Sequence, residues 1–167
     1  MANTYELISS YTVGPSGIAA VQFTSIPGTY TDLYLTVSGR LNDAINSAVI
    51  TFNGSTSGYA SQLLYPDGSS TGSSNGGSTG IAMYVDPSSY TANTFSNTTV
   101  YIPNYAGSTH KVTSMESTAE SNGNAAMWIS AGLWANTAAI TSITITASSS
   151  LNFVQYSTAT LHGIKNS

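Results

Sequence analysis

The sequence predicts an all-β protein, an antiparallel β-sandwich of about 8–11 strands. Three observations predict it. Runs with apolar residues at every second position recur at spacings of roughly 8–12 residues, each closed by a cluster of Gly, Pro, Asn or Ser. The residues that fill exposed helix faces are nearly missing, with charged residues at 6% of 167. The polar surface is left to hydroxyls and amides, with 28 Ser and 23 Thr. Connections of four to fifteen residues mix short hairpins with long crossings, which points to a jelly roll rather than a meander. No fixed-period repeat suggests a propeller or β-helix.

Each element follows from its own pattern. Residues 5–13 form a first run, stopped by Gly14-Pro15-Ser16-Gly17. Residues 18–26 follow, with Val21 and Phe23 on one face, and end at Pro27-Gly28. Residues 32–40 alternate most clearly: Leu33, Leu35 and Val37 point one way, Tyr34, Thr36 and Ser38 the other, so one face is buried. Residues 48–53 close on Asn53-Gly54-Ser55, and residues 59–65 make a short fifth run. Residues 66–80 hold no apolar side chain between strands and read as a Gly/Ser-rich surface loop. Runs at 81–85, 95–103, 111–118, 126–134, 140–147 and 159–164 complete the series. Ser121-Asn122-Gly123-Asn124 is a turn between two of them. Residues 126–134 are the most apolar: Ile129, Ala131 and Leu133 share one face, and Trp128, Ser130, Gly132 and Trp134 the other. The whole chain, 1–167, is expected to be one domain.

Composition removes several functions. Three basic residues cannot neutralise a run of phosphates or form a polybasic membrane patch, so neither nucleic acid nor membrane is an expected partner. No apolar run approaches the roughly 18 residues of a membrane span. The opening Met-Ala-Asn-Thr-Tyr-Glu carries no basic and apolar leader, so no secretory signal is expected. Without cysteine there is no disulfide framework, thiol chemistry or zinc-thiolate site.

Catalytic chemistry finds little to work with. His110 and His162 are the only histidines, and no Gly-x-Ser-x-Gly elbow accompanies them. Each reads as a polar strand residue. Glu116 and Glu120 lie four apart, a span of about 13 Å in one strand, which is too far for a glycosidase carboxylate pair. Asp43, Asp67 and Asp86 offer calcium-type oxygens, but they sit in separate loops and read as turn formers. The chain is therefore expected to be no enzyme and to hold no cofactor and no metal. The aromatic residues carry more: 11 Tyr and 2 Trp, many in or beside loops. Tyr59, Tyr65, Tyr90, Tyr105 and Trp134 are the candidate interface residues, since aromatics enrich at protein contacts. Loop aromatics with Asn also suit sugar binding.

Three stretches carry a family resemblance. They are Asn93-Thr94-Phe95-Ser96-Asn97 with Val100-Tyr101-Ile102-Pro103-Asn104-Tyr105-Ala106-Gly107-Ser108-Thr109, then Ala131-Gly132-Leu133-Trp134-Ala135-Asn136-Thr137-Ala138-Ala139-Ile140-Thr141-Ser142-Ile143-Thr144, and Phe153-Val154-Gln155-Tyr156-Ser157-Thr158-Ala159-Thr160-Leu161-His162-Gly163-Ile164. Tyr5-Glu6-Leu7-Ile8 and Phe23-Thr24-Ser25-Ile26-Pro27 agree too. Together they resemble small virion structural proteins of tailed bacteriophages, especially phages of marine bacteria and cyanobacteria. Where the family has Leu-Tyr-Gly-Ile, this chain has Leu161-His162-Gly163-Ile164. The resemblance implies a virion component without catalytic residues. The expected partners are the major capsid protein or other virion proteins, together with further copies of the chain in a closed assembly such as a trimer. The expected location is the outer surface of the head, after assembly in the host cytoplasm, as a capsid decoration protein. The second reading is a tail or fibre module that binds host glycans.

Overall fold

Strict alternation of inward and outward side chains builds this molecule. The computed structural model describes residues 4–66 and 71–165. Among the described residues the strands are β1 (Tyr5–Thr12), β2 (Ala20–Phe23), β3 (Asp32–Gly39), β4 (Ser47–Phe52), β5 (Tyr59–Pro66) and β6 (Thr71–Asn75). After them come β7 (Ile81–Tyr84), β8 (Ser96–Pro103), β9 (Lys111–Ser121), β10 (Asn124–Trp134), β11 (Ile143–Ala147) and β12 (Thr158–Ile164). They form two antiparallel sheets packed face to face. The larger has the order β1-β12-β3-β8-β9-β10-β5-β6, the smaller β2-β11-β4-β7.

The chain alternates between the sheets: β1 and β3 in the larger, β2 and β4 in the smaller. It repeats this later, with β7 and β11 in the smaller sheet and β8 and β12 in the larger. Two hairpins break the alternation. β5–β6 and β9–β10 both join the larger sheet, side by side at one end. The eight-stranded sheet therefore overhangs the four-stranded one, whose edge strand β7 packs on β5 and β10.

The core lies between the layers. Leu33, Leu35, Val100, Ile102 and Leu161 of the larger sheet meet Val21, Phe23, Ile50, Phe52, Ile143 and Ile145 of the smaller, all buried. The phase expected for β3 is the observed one: Leu33 and Leu35 are 0% exposed and Val37 4%. Leu35→Ala is expected to cost about 2–5 kcal/mol, because the site is closed on all sides. A urea midpoint shift worth under about 0.5 kcal/mol would contradict that burial.

Two glycines are set by close approach. A Cβ on Gly132 would lie 2.7 Å from Ile81 Cγ2 and 2.4 Å from Thr113 Oγ1, so β7 reaches β10 only because this position has no side chain. A Cβ on Gly163 would enter the ring of Tyr30, 2.3 Å from its Cγ. Tyr30 therefore lies flat across β12, an aromatic filling the gap that a strand glycine leaves. The β9–β10 turn falls where it was expected, with Asn122 and Gly123 both at positive φ, 52° and 89°.

One expectation is corrected. The segment 66–80 is not all loop: Thr71–Asn75 is strand β6, paired with β5 from Gln62↔Asn75 to Pro66↔Thr71. The sequence Thr-Gly-Ser-Ser-Asn shows no strand pattern because β6 is an edge strand with little to bury. Backbone pairing holds it, with the Gln62 amide donating to Asn75 Oδ1 at 2.5 Å, and polar edges are the usual guard against aggregation. Asp67 and Gly68, which the loop reading included, lie outside the described residues. β6 also raises the count to twelve strands among the described residues.

Candidate functional site

Three of the five predicted contact aromatics belong to the core. Trp134 is 1% exposed, Tyr105 0% and Tyr59 5%. The Tyr59 ring stacks on Trp134 with centroids 6.1 Å apart, and Phe52 meets Trp134 edge-on at 5.6 Å. The Phe52 N–H donates to the Tyr59 hydroxyl at 2.7 Å. The Tyr105 hydroxyl donates to the Pro27 carbonyl and accepts from the Tyr30 N–H. These rings plug the sandwich and tie loops to it, so the expectation of surface contact is corrected for all three. The physical reason for two of them is strand phase: Tyr59 opens β5 and Trp134 closes β10, strands whose odd and even positions, respectively, face inward, while Tyr105 is held from the loop after β8 by its hydroxyl contacts. Tyr65 and Tyr90 remain half-buried at the surface.

Both lie where the larger sheet overhangs the smaller. Beyond β7 the inner faces of β5 and β10 are left partly open, and two adjoining hollows of about 540 and 350 Å³ meet at Trp128. Tyr90 and Asn124 line one, and Tyr65, Tyr84 and Asn46 the other. The Trp128 indole stacks on Tyr84 at 3.2 Å and 11°. The Tyr84 hydroxyl donates to that of Tyr90 at 2.6 Å. Burial, and after it the Tyr90 hydroxyl, push the Tyr84 phenol far above its ordinary pKa, so it stays a neutral donor.

Behind Tyr90 sits a buried charge cluster. Arg40 Nη1 donates to the carbonyls of Thr91 and Thr94 at 2.9 and 3.1 Å, and Nη2 to those of Ser88 and Tyr90 at 3.0 Å each. One planar fork thus gathers the whole 88–94 turn. Asp86 beside it is 0% exposed, and among the described residues neither carboxylate oxygen has a partner that meets hydrogen-bond geometry. Burial raises its pKa above 3.8; the Thr94 hydroxyl and Arg40 oppose this, and Glu120 adds to it. The folded state therefore holds this proton more tightly than the unfolded chain does. Ionisation penalises folding as pH rises from 3.8 through the folded-state pKa, and the penalty is complete above it. Asp86→Asn is expected to be more stable than the parent at neutral pH, with a margin that shrinks on acidification toward about pH 4. Urea midpoints across that range check it. A margin independent of pH would rule out the buried charge as its cause.

The opposite face of the same strands has a different character. Val112, Leu64, Ile129 and Met127 point away from the core and are 52%, 48%, 48% and 40% exposed. Register spreads them along the outer face of β10: Ile129 lies between Leu64 and Glu116, Ala131 between Gln62 and Ser114, and Leu133 between Ala60 and Val112. Further along the sheet this outer face is hydroxyl-rich, with Thr99, Thr36 and Thr160 in one cross-strand row. Sequence reasoning set Ile129, with Ala131 and Leu133, on one face of β10 and did not single out Leu64, Val112 or Met127. The available signal was an apolar run with both faces occupied, which one core face cannot absorb.

The other predicted groups stay apart. His162 is half-buried on the outer face between Leu7 and Tyr34, its ring 6.3 Å from that of Tyr5. His110 is exposed at the foot of β9. Glu116 is exposed, while Glu120 accepts from the Thr91 hydroxyl at 2.9 Å and from the Gly123 N–H, which lowers its pKa. Asp43 accepts from the next residue's N–H, as a turn former does. Among the described residues no three His, Asp or Glu gather as a metal site, and no helix is long and apolar enough to cross a membrane. Comparison of the chain with protein-family models, curated proteins and solved structures finds no match.

Proposed function

We propose that the chain is a virion structural protein of a tailed phage, a decoration protein that docks on the outer surface of the head. The observation that carries this reading is the apolar stripe of Leu64, Val112, Met127 and Ile129 on the outer face of β5, β9 and β10. Clustered exposed apolar side chains mark protein contacts. The occupant is the major capsid protein, with neighbouring copies of the chain completing a closed assembly. The stripe lies on the two hairpins that interrupt the alternation of strands between sheets. We read the remaining eight strands, β1-β12-β3-β8 over β2-β11-β4-β7, as a jelly roll, and the hairpins as its functional additions. A hydroxyl-rich surface of low charge suits a subunit repeated densely over a shell, where like charges would repel. The role is to clamp adjacent capsid subunits and needs no catalytic step.

Purified particles test the reading. Imaging is expected to find many copies over the head. Washing in molar salt is expected to leave them attached, because apolar contacts are not screened, whereas moderate urea strips them. Stripped heads are expected to rebind the parent protein and to reject Ile129→Asp, a buried anchor of this kind contributing about 2 kcal/mol or more, or roughly 30-fold in affinity. Release by salt alone, or equal rebinding of the variant, would overturn it. A few copies lost with the tails would place the protein in a tail instead.

A further inference from the structure

The docking stripe leaves the end cleft unused, since consecutive residues of β10 point to opposite faces: Ile129 outward, Trp128 into the hollows. We infer that this cleft is a binding site for a neutral oligosaccharide. Its two hollows, about 540 and 350 Å³, fall in the range of small-molecule sites and share Trp128 in their linings. The indole supplies a flat apolar face. The electron-rich face of an aromatic ring attracts the weakly positive C–H groups on one side of a sugar ring. Tyr84 backs the indole, and Tyr90 anchors Tyr84 through the 2.6 Å hydroxyl contact, so the platform is ordered before a ligand arrives. Around the platform stand the amide of Asn124 and the hydroxyls of Ser74 and Ser121, while the Asn46 side chain hydrogen-bonds Tyr84 and the Ser47 hydroxyl meets that of Ser148 at 3.1 Å. An amide gives a donor and an acceptor side by side, which matches vicinal sugar hydroxyls.

Charge selects within the saccharides. Among the described residues, none that lines either hollow is charged. The neighbouring acids, Glu120 and Asp86, disfavour anions, and the Arg40 guanidinium beside them is engaged by four loop carbonyls. Among the described residues a phosphate, sulfate or carboxylate sugar finds no free cation here, and neither does a nucleic acid. A proline-rich peptide also docks on aromatic grooves. It has few groups to satisfy the amides and hydroxyls that ring this platform, and its failure to bind is part of the test.

Tryptophan fluorescence reads the site directly, because Trp134 is buried and Trp128 lines the groove. The full chain is titrated with hexasaccharides of maltose, cellulose, xylan, mannan and chitin type, and with a heparin hexasaccharide and a proline-rich decapeptide. At least one neutral hexasaccharide is expected to give a saturable change. Trp128→Ala and Asn124→Ala are each expected to weaken it by about 10-fold or more, measured by calorimetry, and Ile129→Asp to leave it unaltered. Should Trp128→Ala fail to fold, Asn124→Ala decides alone, since Asn124 is exposed at the start of β10. Binding by none of the neutral sugars, preference for heparin or the peptide, or neutral-sugar binding that survives the variants would each overturn the inference. Loss of sugar binding and loss of head attachment are separable, because they follow different residues.

Discussion

Truncating Trp134 to alanine is expected to destabilise the fold by about 3–5 kcal/mol. The indole is 1% exposed between Tyr59, stacked at 6.1 Å, and Phe52, edge-on at 5.6 Å. Removing it strips both rings of a neighbour and leaves a cavity that two aromatic side chains cannot collapse to fill. Trp134→Phe keeps one ring and is expected to lose much less. A surface aromatic would behave otherwise, since exposed substitutions usually stay within about 0.5 kcal/mol. The denaturant midpoint, followed by the fluorescence of Trp128, separates the two cases. A variant as stable as the parent would return Trp134 to the surface role that its sequence context suggested.

Replacing Arg40 by methionine is expected to cost about 3 kcal/mol or more and to loosen the 88–94 turn. Hydrogen bonds to a charged donor typically contribute about 1.5–3 kcal/mol each, and here four carbonyls converge on one guanidinium. Arg40→Lys is expected to rescue little, because a single ammonium cannot reproduce the planar fork. The variant also deprives Asp86 of the nearby positive charge that favours its ionised form. Adding Asp86→Asn to Arg40→Met is therefore expected to recover part of the loss, a coupling that a double-mutant cycle measures. Chymotryptic cleavage after Tyr90 reports the loosening directly. Resistance equal to the parent would show that the turn holds without Arg40.

The two variants act on different parts of the molecule. Trp134 supports the sandwich itself. Arg40 positions the turn that carries Tyr90, and through Tyr90 and Tyr84 it orders the Trp128 platform. Oligosaccharide affinity is therefore a further readout for Arg40→Met, at temperatures where the variant remains folded.

The fold class, most of the strands and the phase of the best of them are legible in the amino-acid order alone. Leu33-x-Leu35-x-Val37 could bury only one way, because a strand's side chains alternate with period two and water selects the apolar face. Asn122-Gly123 announced its turn, because few residues other than Asn and Gly accept the positive φ it needs. The rest was decided by tertiary structure. β6 exists because β5 offers it an edge, and backbone pairing leaves no mark on side-chain pattern. Tyr59 and Trp134 went to the core and Ile129 to the surface because β10 is apolar on both faces, and only the position of β7 against Gly132 determines which face is covered. Asp86, Arg40 and the Trp128 cleft come from residues scattered along the chain, and no local spacing encodes their meeting. Alternation is a property of a single strand, whereas coverage is a property of the layer above it. The overhang of an eight-stranded sheet beyond a four-stranded one leaves the Trp128 cleft open on the inner face, while the apolar stripe lies on the outer face.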